Sequence, residues 1–196
     1  MQAGRRVLIM SVGGLLLDTR WRSALARSTG RLSIPSGALA GLDGAAALAI
    51  GRIRRVSLTT HKPPRALADA PYVRHNRLRL NRLTRPSVIF EGSPKAVVSA
   101  FPQNTNVAAA LLLSVRGGAG RRGKRSGAVS QEVRVRVVAD PTIRMNVHEL
   151  DVQGECGRVQ CRVESRPSRN PKTSELAVRS ALVTLGRMFD PLVVGT

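Results

Sequence analysis

The pattern of apolar residues at the start of the chain limits the fold more than any other sequence feature. An unbroken apolar run at Val7–Val12 predicts a buried strand, and residues 18–30 predict a helix that Asp18 caps and Gly30 ends. A short strand at Arg31–Pro35 is followed by a helix of small residues at Ala38–Ile50. Because strands and helices alternate, this part predicts parallel strands, as at the end of a doubly wound sheet.

The pattern changes after Arg52. A strand rich in branched residues is predicted at Ile53–Thr60, and the stretch Arg74–Arg85 has no clear assignment. Ser93 is expected to cap a short helix that runs to about Phe101. Asn104 or Asn106 is expected to open a second, strongly apolar helix that runs through Val115.

Period-two alternation dominates the last third of the chain and predicts an antiparallel meander followed by one helix. The helix is capped by Ser174. The alternating residues share three predicted strand faces: Val133, Val135 and Val137; His148, Leu150 and Val152; Val159, Cys161 and Val163.

The charge of the chain is unusual. The formal net charge is +20, which first suggests a polyanion such as nucleic acid or an acidic membrane surface. The excess is almost all arginine, however, and it is scattered through the predicted helices and strands. Aromatic residues make up only 3%, so few side chains could stack on bases. We therefore do not expect nucleic-acid binding; an arginine-biased codon usage explains the charge more simply.

Export, membrane insertion and metal binding are not expected. The apolar run Val7–Leu17 imitates a signal peptide, but Gly13 and Gly14 interrupt it, and it is too short to span a bilayer. Cys156 and Cys161 are the only cysteines and cannot form a four-ligand zinc site by themselves. A cytoplasmic protein with free thiols and no metal is the expectation.

Two motifs, the glycine-rich residues 118–123 and the strand that contains His148, differ in how strongly they indicate a function. Residues 118–123 match the dinucleotide-binding fingerprint letter for letter, but a helix precedes them where the motif needs a strand. We interpret them as a chance match in a flexible loop. His148 is more informative, because it lies in an alternating strand and an imidazole suits proton transfer near neutral pH; a structural histidine remains the alternative. His61 and His75 lie in polar surroundings and are expected to be solvated.

Two further segments could approach a ligand. Ser36-Gly37-Ala38 follows a predicted strand and opens a predicted helix, where backbone often contacts a cofactor. Asn104 and Asn106 supply side-chain amides at a helix start, for which helix capping is the simpler explanation.

Read together, these segments form an ordered set that covers nearly the whole chain. They are Ser11-Val12-Gly13-Gly14-Leu15-Leu16-Leu17-Asp18, Pro35-Ser36-Gly37-Ala38, Gly41-Leu42-Asp43, Leu58-Thr59-Thr60, Lys62-Pro63-Pro64-Arg65-Ala66-Leu67, Phe90-Glu91-Gly92-Ser93, Phe101-Pro102, Asn104-Thr105-Asn106-Val107-Ala108-Ala109, Ala139-Asp140-Pro141, Asn146-Val147-His148-Glu149 and Asn170-Pro171-Lys172-Thr173-Ser174. In this order they resemble the L-aspartate dehydrogenase family.

The resemblance implies a fold and its division. The expected fold is α/β: a C-terminal remnant of a Rossmann-type NAD(P)-binding parallel layer at residues 1–51, and a mixed, largely antiparallel α/β catalytic domain at residues 52–168. A C-terminal helix at residues 169–196 is expected to pack back on the first part.

The resemblance also implies a reaction and its residues. Family members use NAD or NADP to oxidise L-aspartate to iminoaspartate, which yields oxaloacetate and ammonia or enters NAD biosynthesis. His148 matches the catalytic histidine, and Ala38 and Asn104 match cofactor-contacting positions. Lys62, Arg65 and Lys172 are candidates for binding the substrate carboxylates, and the family leaves a homodimer open.

The sequence departs from the family in two places. The family's first strand and glycine-rich turn have no counterpart before Met1, and the insertion at Arg116–Gln131 is long and basic. Without the glycine-rich turn, a cofactor pyrophosphate would lose its helix-terminal amides. Two alternatives therefore stand beside a dehydrogenase: a truncated, inactive remnant, and a basic polyanion-binding protein on the same scaffold.

Overall fold

The computed structural model describes residues 4–103, 105–117, 133–169, 173–192 and 194. The strands and helices, in chain order, are β1 (Arg6–Leu8), α1 (Gly14–Leu17), α2 (Arg20–Ala26), β2 (Arg31–Ser33), α3 (Leu42–Leu48), β3 (Ile53–Lys62), α4 (Pro64–Leu67), α5 (Pro71–His75), β4 (Ser87–Gly92), α6 (Pro94–Ala100), α7 (Asn106–Arg116), β5 (Arg134–Ala139), β6 (Asn146–Gly154), β7 (Arg158–Ser165) and α8 (Glu175–Arg187). A 3₁₀ turn spans Leu80–Arg82.

The first part of the chain contains the predicted parallel layer. β1 pairs with β2 in parallel, and Arg6 lies opposite Arg31. The helical segment between these strands differs from the prediction, because α1 ends before Asp18 and α2 begins after it. The Asp18 carboxylate accepts a hydrogen bond from the backbone N–H of Arg20 and forms an ion pair with the Arg20 guanidinium. These two contacts stabilise the bend between the two helices.

The helix predicted to begin at Ala38 begins instead at Leu42. Gly37 and Gly41 both have left-handed backbone angles, with φ of 69° and 76°. An α-helix cannot contain such residues, so residues 37–41 form a turn that precedes α3. Gly41 also lies tightly against β7: a Cβ placed on it would lie 2.6 Å from Sγ of Cys161.

The larger sheet has the strand order β4-β5-β3-β6-β7. β3 pairs in parallel with β5, whereas the β3–β6, β4–β5 and β6–β7 pairs are antiparallel. The mixed, largely antiparallel sheet was therefore predicted correctly, whereas the predicted meander is confirmed only for β6 and β7. β5 does not pair with β6, because β3 lies between them; alternation predicts a buried face and does not specify a neighbour.

The two faces of this sheet differ. α3 and α6 pack on one face, where Val56 and Leu58 of β3 are buried, and α7 packs against both helices. The other face carries ion pairs of Glu91 with Arg134 and Arg136, and of Asp151 with Arg158. Several strand arginines therefore belong to a charged sheet surface, although such exposed pairs add little stability.

The helices around the sheet follow the sequence closely. Oγ of Ser93 accepts from the N–H of Ala96 at the start of α6, and Oγ of Ser174 accepts from the N–H of Ala177 at the start of α8, as predicted. The unassigned stretch Arg74–Arg85 contains the end of α5 and the 3₁₀ turn, whose Leu80 is buried.

The remaining expectations about the chain have different outcomes. Cys156 is exposed and Cys161 is half-buried, and both are free thiols. No helix within the described ranges is both long enough and apolar enough to cross a membrane. The fingerprint match at residues 118–123 lies outside the described residues.

The C-terminal helix α8 lies beside the first part of the chain. Its residues Leu176 and Val183 line a cleft with Trp21 and Leu32 of that part. The proposed division into domains stays a prediction.

Gly41 provides a test of the turn that precedes α3. Gly41→Ala should lower the free energy of unfolding by about 1–3 kcal/mol, because an alanine there is strained and its Cβ meets Cys161. Urea unfolding measures the effect. The matched control is Gly14→Ala, where a Cβ would meet no atom within 4 Å. An unchanged midpoint for Gly41→Ala would show that the turn can relax.

Candidate active site

One cleft brings together segments from distant parts of the chain. It has a volume of about 230 Å³. Its walls come from the loop after β1, the turn after β2, the end of β3, the start of β6, and the first residues of α7 and α8. We call it the His148 cleft. It is lined by Met10, Ser11, Val12, Pro35, Ser36, Gly37, Ala38, Lys62, Gln103, Asn106, Val107, Ala110, Asn146, His148, Thr173, Ser174 and Ala177.

The register between β3 and β6 supplies the polar side of this cleft. Thr60 lies directly opposite His148 in the antiparallel pair. Because side chains alternate along a strand, Lys62 shares a face with Thr60, and Asn146 shares a face with His148. These four polar side chains are all buried, at the end of a face that is otherwise apolar.

His148 is only 3% exposed. Its Nδ1 lies 3.1 Å from Oγ1 of Thr60, which leaves Nε2 as the ring nitrogen available to the cleft. Burial lowers the pKa of His148 from 6.5 to about 3, and the nearby charges of Lys62 and His61 act in the same direction. The imidazole is therefore neutral at physiological pH.

Lys62 is 5% exposed, and its Nζ donates to Oδ1 of Asn146 at 3.2 Å. Burial lowers the pKa of Lys62 from 10.5 to about 8. A lysine with this pKa can be a cation that binds a carboxylate, or it can lose its proton slightly above neutral pH and act as a base.

The parallel layer forms the opposite wall. Ala38 is 4% exposed and lies in the turn after β2. Asn106 does not cap α7, whose N-cap residue is Thr105. Its Oδ1 instead accepts from the backbone N–H of Gly13 at 3.1 Å. This hydrogen bond joins α7 to the loop that follows β1, and it gives Asn106 a role that helix capping did not predict.

The other predicted site residues have different positions. Arg65 lines a separate cleft with Arg144 and Leu80, and it is absent from the lining of the His148 cleft. Asn104 and Lys172 lie outside the described residues. Within those residues, no group of three or more His, Cys, Asp or Glu side chains could hold a metal ion.

Three residues at or near the site were not predicted from the sequence. Thr60 and Asn146 received no role, although Thr60 is in phase with Lys62 and Asn146 with His148. His61 was expected to be solvated, which is wrong: its Nδ1 lies 3.7 Å from Oδ2 of Asp140, and its Nε2 lies 3.5 Å from Oε2 of Glu149. The phase of the alternation along β3 and β6 could have revealed the first two.

Known proteins match this chain over its whole length. A family model described as the C-terminal part of aspartate dehydrogenase matches residues 43–188. The L-aspartate dehydrogenase of Methanosarcina barkeri is 42% identical, over 100% of this chain and 69% of that protein. L-aspartate dehydrogenase 3 of Bordetella bronchiseptica is 34% identical, over 100% of this chain and 68% of that protein.

A solved structure matches the fold of this chain and comes from the same family of enzymes. The crystal structure of aspartate dehydrogenase from Thermotoga maritima matches with a TM-score of 0.74 at 27% identity, over 99% of this chain and 70% of that one. Together with these matches, the fold defines an α/β oxidoreductase with a mixed five-stranded sheet and a smaller parallel layer. Within that class, the chain belongs to the aspartate dehydrogenase family.

The buried imidazole makes stability depend on pH. Because the folded-state pKa of His148 is lowered to about 3, the unfolded chain binds more protons than the native state between that value and 6.5. The free energy of unfolding should therefore fall as the pH is lowered through this window. His148→Gln should reduce this dependence, as measured by urea unfolding at several pH values.

His75→Gln is the control, because His75 is exposed at the end of α5. It should leave the pH dependence unchanged. Equal slopes for wild type and His148→Gln would mean that the native state tolerates a charged ring at this position.

Proposed function

We propose that this chain catalyses the NAD(P)-dependent oxidation of L-aspartate to iminoaspartate, which hydrolyses to oxaloacetate and ammonia. The observation that carries the proposal is that a buried histidine and a buried lysine share one small cleft with the turn after β2. The names of the relatives supply the substrate, and the cleft supplies residues of suitable chemistry.

The wall formed by the parallel layer suits a nicotinamide ring. Val12, Ala38 and Val107 provide apolar surface, and Ser36 and Asn106 provide polar atoms. At Gly37 an added Cβ would meet only Val107, at 3.9 Å, so the backbone is accessible to a ligand. The bound cofactor supplies a hydride acceptor. We propose NAD or NADP as the cofactor and Ala38 as one of its contacts.

The opposite wall suits a small dicarboxylate. Lys62 provides a buried amino group that donates hydrogen bonds in either protonation state, and the N-terminus of α8, a helix of 13 residues, adds a positive helix end beside Thr173 and Ser174. A carboxylate in this position replaces the water that these groups would otherwise bind. A cleft of about 230 Å³ favours a small substrate.

The cleft contains side chains that can accept the proton released in the reaction. Oxidation of an amine to an imine removes a hydride from the α-carbon and a proton from the nitrogen. His148 and Lys62 are the titratable side chains that line the described part of the cleft. We therefore propose that both are required, one as proton acceptor and the other as a contact to the substrate.

The proposal predicts that the chain reduces NAD⁺ or NADP⁺ when L-aspartate is added. His148→Ala and Lys62→Met should each lower kcat/KM by about 100-fold or more, because each removes a polar group that the reaction needs. The absorbance of the reduced nicotinamide measures the rate, and NADH fluorescence measures cofactor binding.

Arg65→Met is the matched control, because Arg65 lines a different cleft. Its kcat/KM should stay close to that of the wild type. A chain that neither binds NADH nor oxidises L-aspartate would contradict the proposal. So would equal losses of activity in all three variants, which would indicate a general effect of removing positive charge.

A further inference from the structure

We propose that Thr60 is a positioning residue that donates its hydroxyl proton to Nδ1 of His148, so that the ring presents an N–H donor to the substrate and Lys62 is the proton acceptor. This inference rests on the proposed function, because it divides the roles of His148 and Lys62 in that reaction. It gives a role to the buried hydroxyl of Thr60, for which the sequence predicted none.

The direction of the Thr60–His148 hydrogen bond depends on whether the Thr60 hydroxyl or Nδ1 of His148 is the donor. A distance of 3.1 Å between Oγ1 and Nδ1 allows either atom to be the donor. Thr60 is only 3% exposed, and among the described residues Nδ1 of His148 is the partner its hydroxyl contacts. If Nδ1 carried the proton, the hydroxyl proton would be buried without an acceptor, which is costly. Donation by Thr60 satisfies both groups.

The strand pairing keeps this geometry in place. Thr60 and His148 are directly opposed in the β3–β6 register, with the buried pair Leu58 and Leu150 next to them on the same face. A β-branched side chain in a strand has few rotamers. The hydroxyl is therefore aimed at Nδ1 before any ligand binds, and the proton of the neutral ring resides on Nε2, the nitrogen available to the cleft.

The titration of the two groups supports this division. Burial and the charge of Lys62 lower the pKa of His148 to about 3, so its ring is a weak base. The pKa of Lys62, lowered to about 8, is much closer to that of an amino-acid ammonium group. Asn146 accepts from Nζ and holds the lysine in place without competing for its lone pair.

The reaction step then balances. The neutral Lys62 amine takes one proton from the substrate ammonium group. The electron pair of the α-carbon–hydrogen bond leaves as hydride to the nicotinamide, and the nitrogen lone pair forms the carbon–nitrogen double bond of the protonated imine. His148 keeps its proton throughout and donates a hydrogen bond from Nε2 to a substrate carboxylate.

Nitrogen-15 NMR of the histidine rings tests the tautomer without any turnover. The chain has only three histidines, so His148 can be assigned by comparison with His148→Gln. In the wild type at neutral pH we expect the proton on Nε2. Thr60→Ser should keep that tautomer, whereas Thr60→Val should shift the ring toward the other tautomer. Thr59→Val, on the opposite face of the same strand, is the control.

Kinetics test the assignment of the base. Lys62→Ala should lose about 100-fold or more in kcat/KM, and added methylamine should restore part of that loss, because a free amine can replace the missing base. His148→Gln keeps an N–H donor and should retain more activity than His148→Leu. Thr60→Ser should be closer to wild type than Thr60→Val.

The NMR and kinetic results can each support or overturn the proposal. A wild-type His148 protonated on Nδ1 would overturn the proposal, because Nε2 would then be free to act as the base. Absence of methylamine rescue together with equal inactivity of His148→Gln and His148→Leu would also overturn it. A chain with the predicted tautomer that oxidises no aspartate would instead remove the proposed function, and the Thr60–His148 assignment would remain.

Discussion

The antiparallel pairing of β3 with β6 is the constraint on which the site depends. It places Thr60 opposite His148 and brings Lys62 within hydrogen-bonding distance of Asn146. A shift of β6 by one residue would turn His148 and Asn146 to the charged sheet surface, away from Thr60 and Lys62, and it would bring Val147 and Glu149 to the buried face. The apolar residues of the same strands, including Leu58 and Leu150, resist that shift because they are buried in the core.

Burying these groups has an electrostatic cost, and that cost determines their chemistry. Desolvation lowers the pKa of both His148 and Lys62, and the charge of Lys62 lowers the pKa of His148 further. The exposed ion pair of Glu91 with Arg136 acts differently, because the hydrogen bond from Arg136 lowers the pKa of Glu91 and so favours the charged carboxylate, while water screens the pair. The high net charge of the chain is therefore of little consequence for the cleft, whose properties depend on two buried titratable groups, His148 and Lys62, and their neutral partners Thr60 and Asn146.

The sequence predicted the elements better than their arrangement. His148 was correctly placed on a buried face because Leu150 and Val152 share its phase. The start of α3 was wrong, since glycine is compatible with both a helix and a left-handed turn. The position of β3 between β5 and β6, and the meeting of Ala38 with His148, result from tertiary contacts that no local pattern encodes. Asn104 and Lys172 lie outside the described residues, and their roles in cofactor and substrate binding stay predictions.

The central claim is that cofactor and substrate meet in the His148 cleft. A crystal structure of the chain with NADH and succinate, an unreactive dicarboxylate, tests it most directly. The account predicts the nicotinamide ring against Ala38, with a succinate carboxylate within hydrogen-bonding distance of Nε2 of His148 and beside Lys62. A nicotinamide or a succinate bound outside this cleft, with His148 covered by packed side chains, would contradict it.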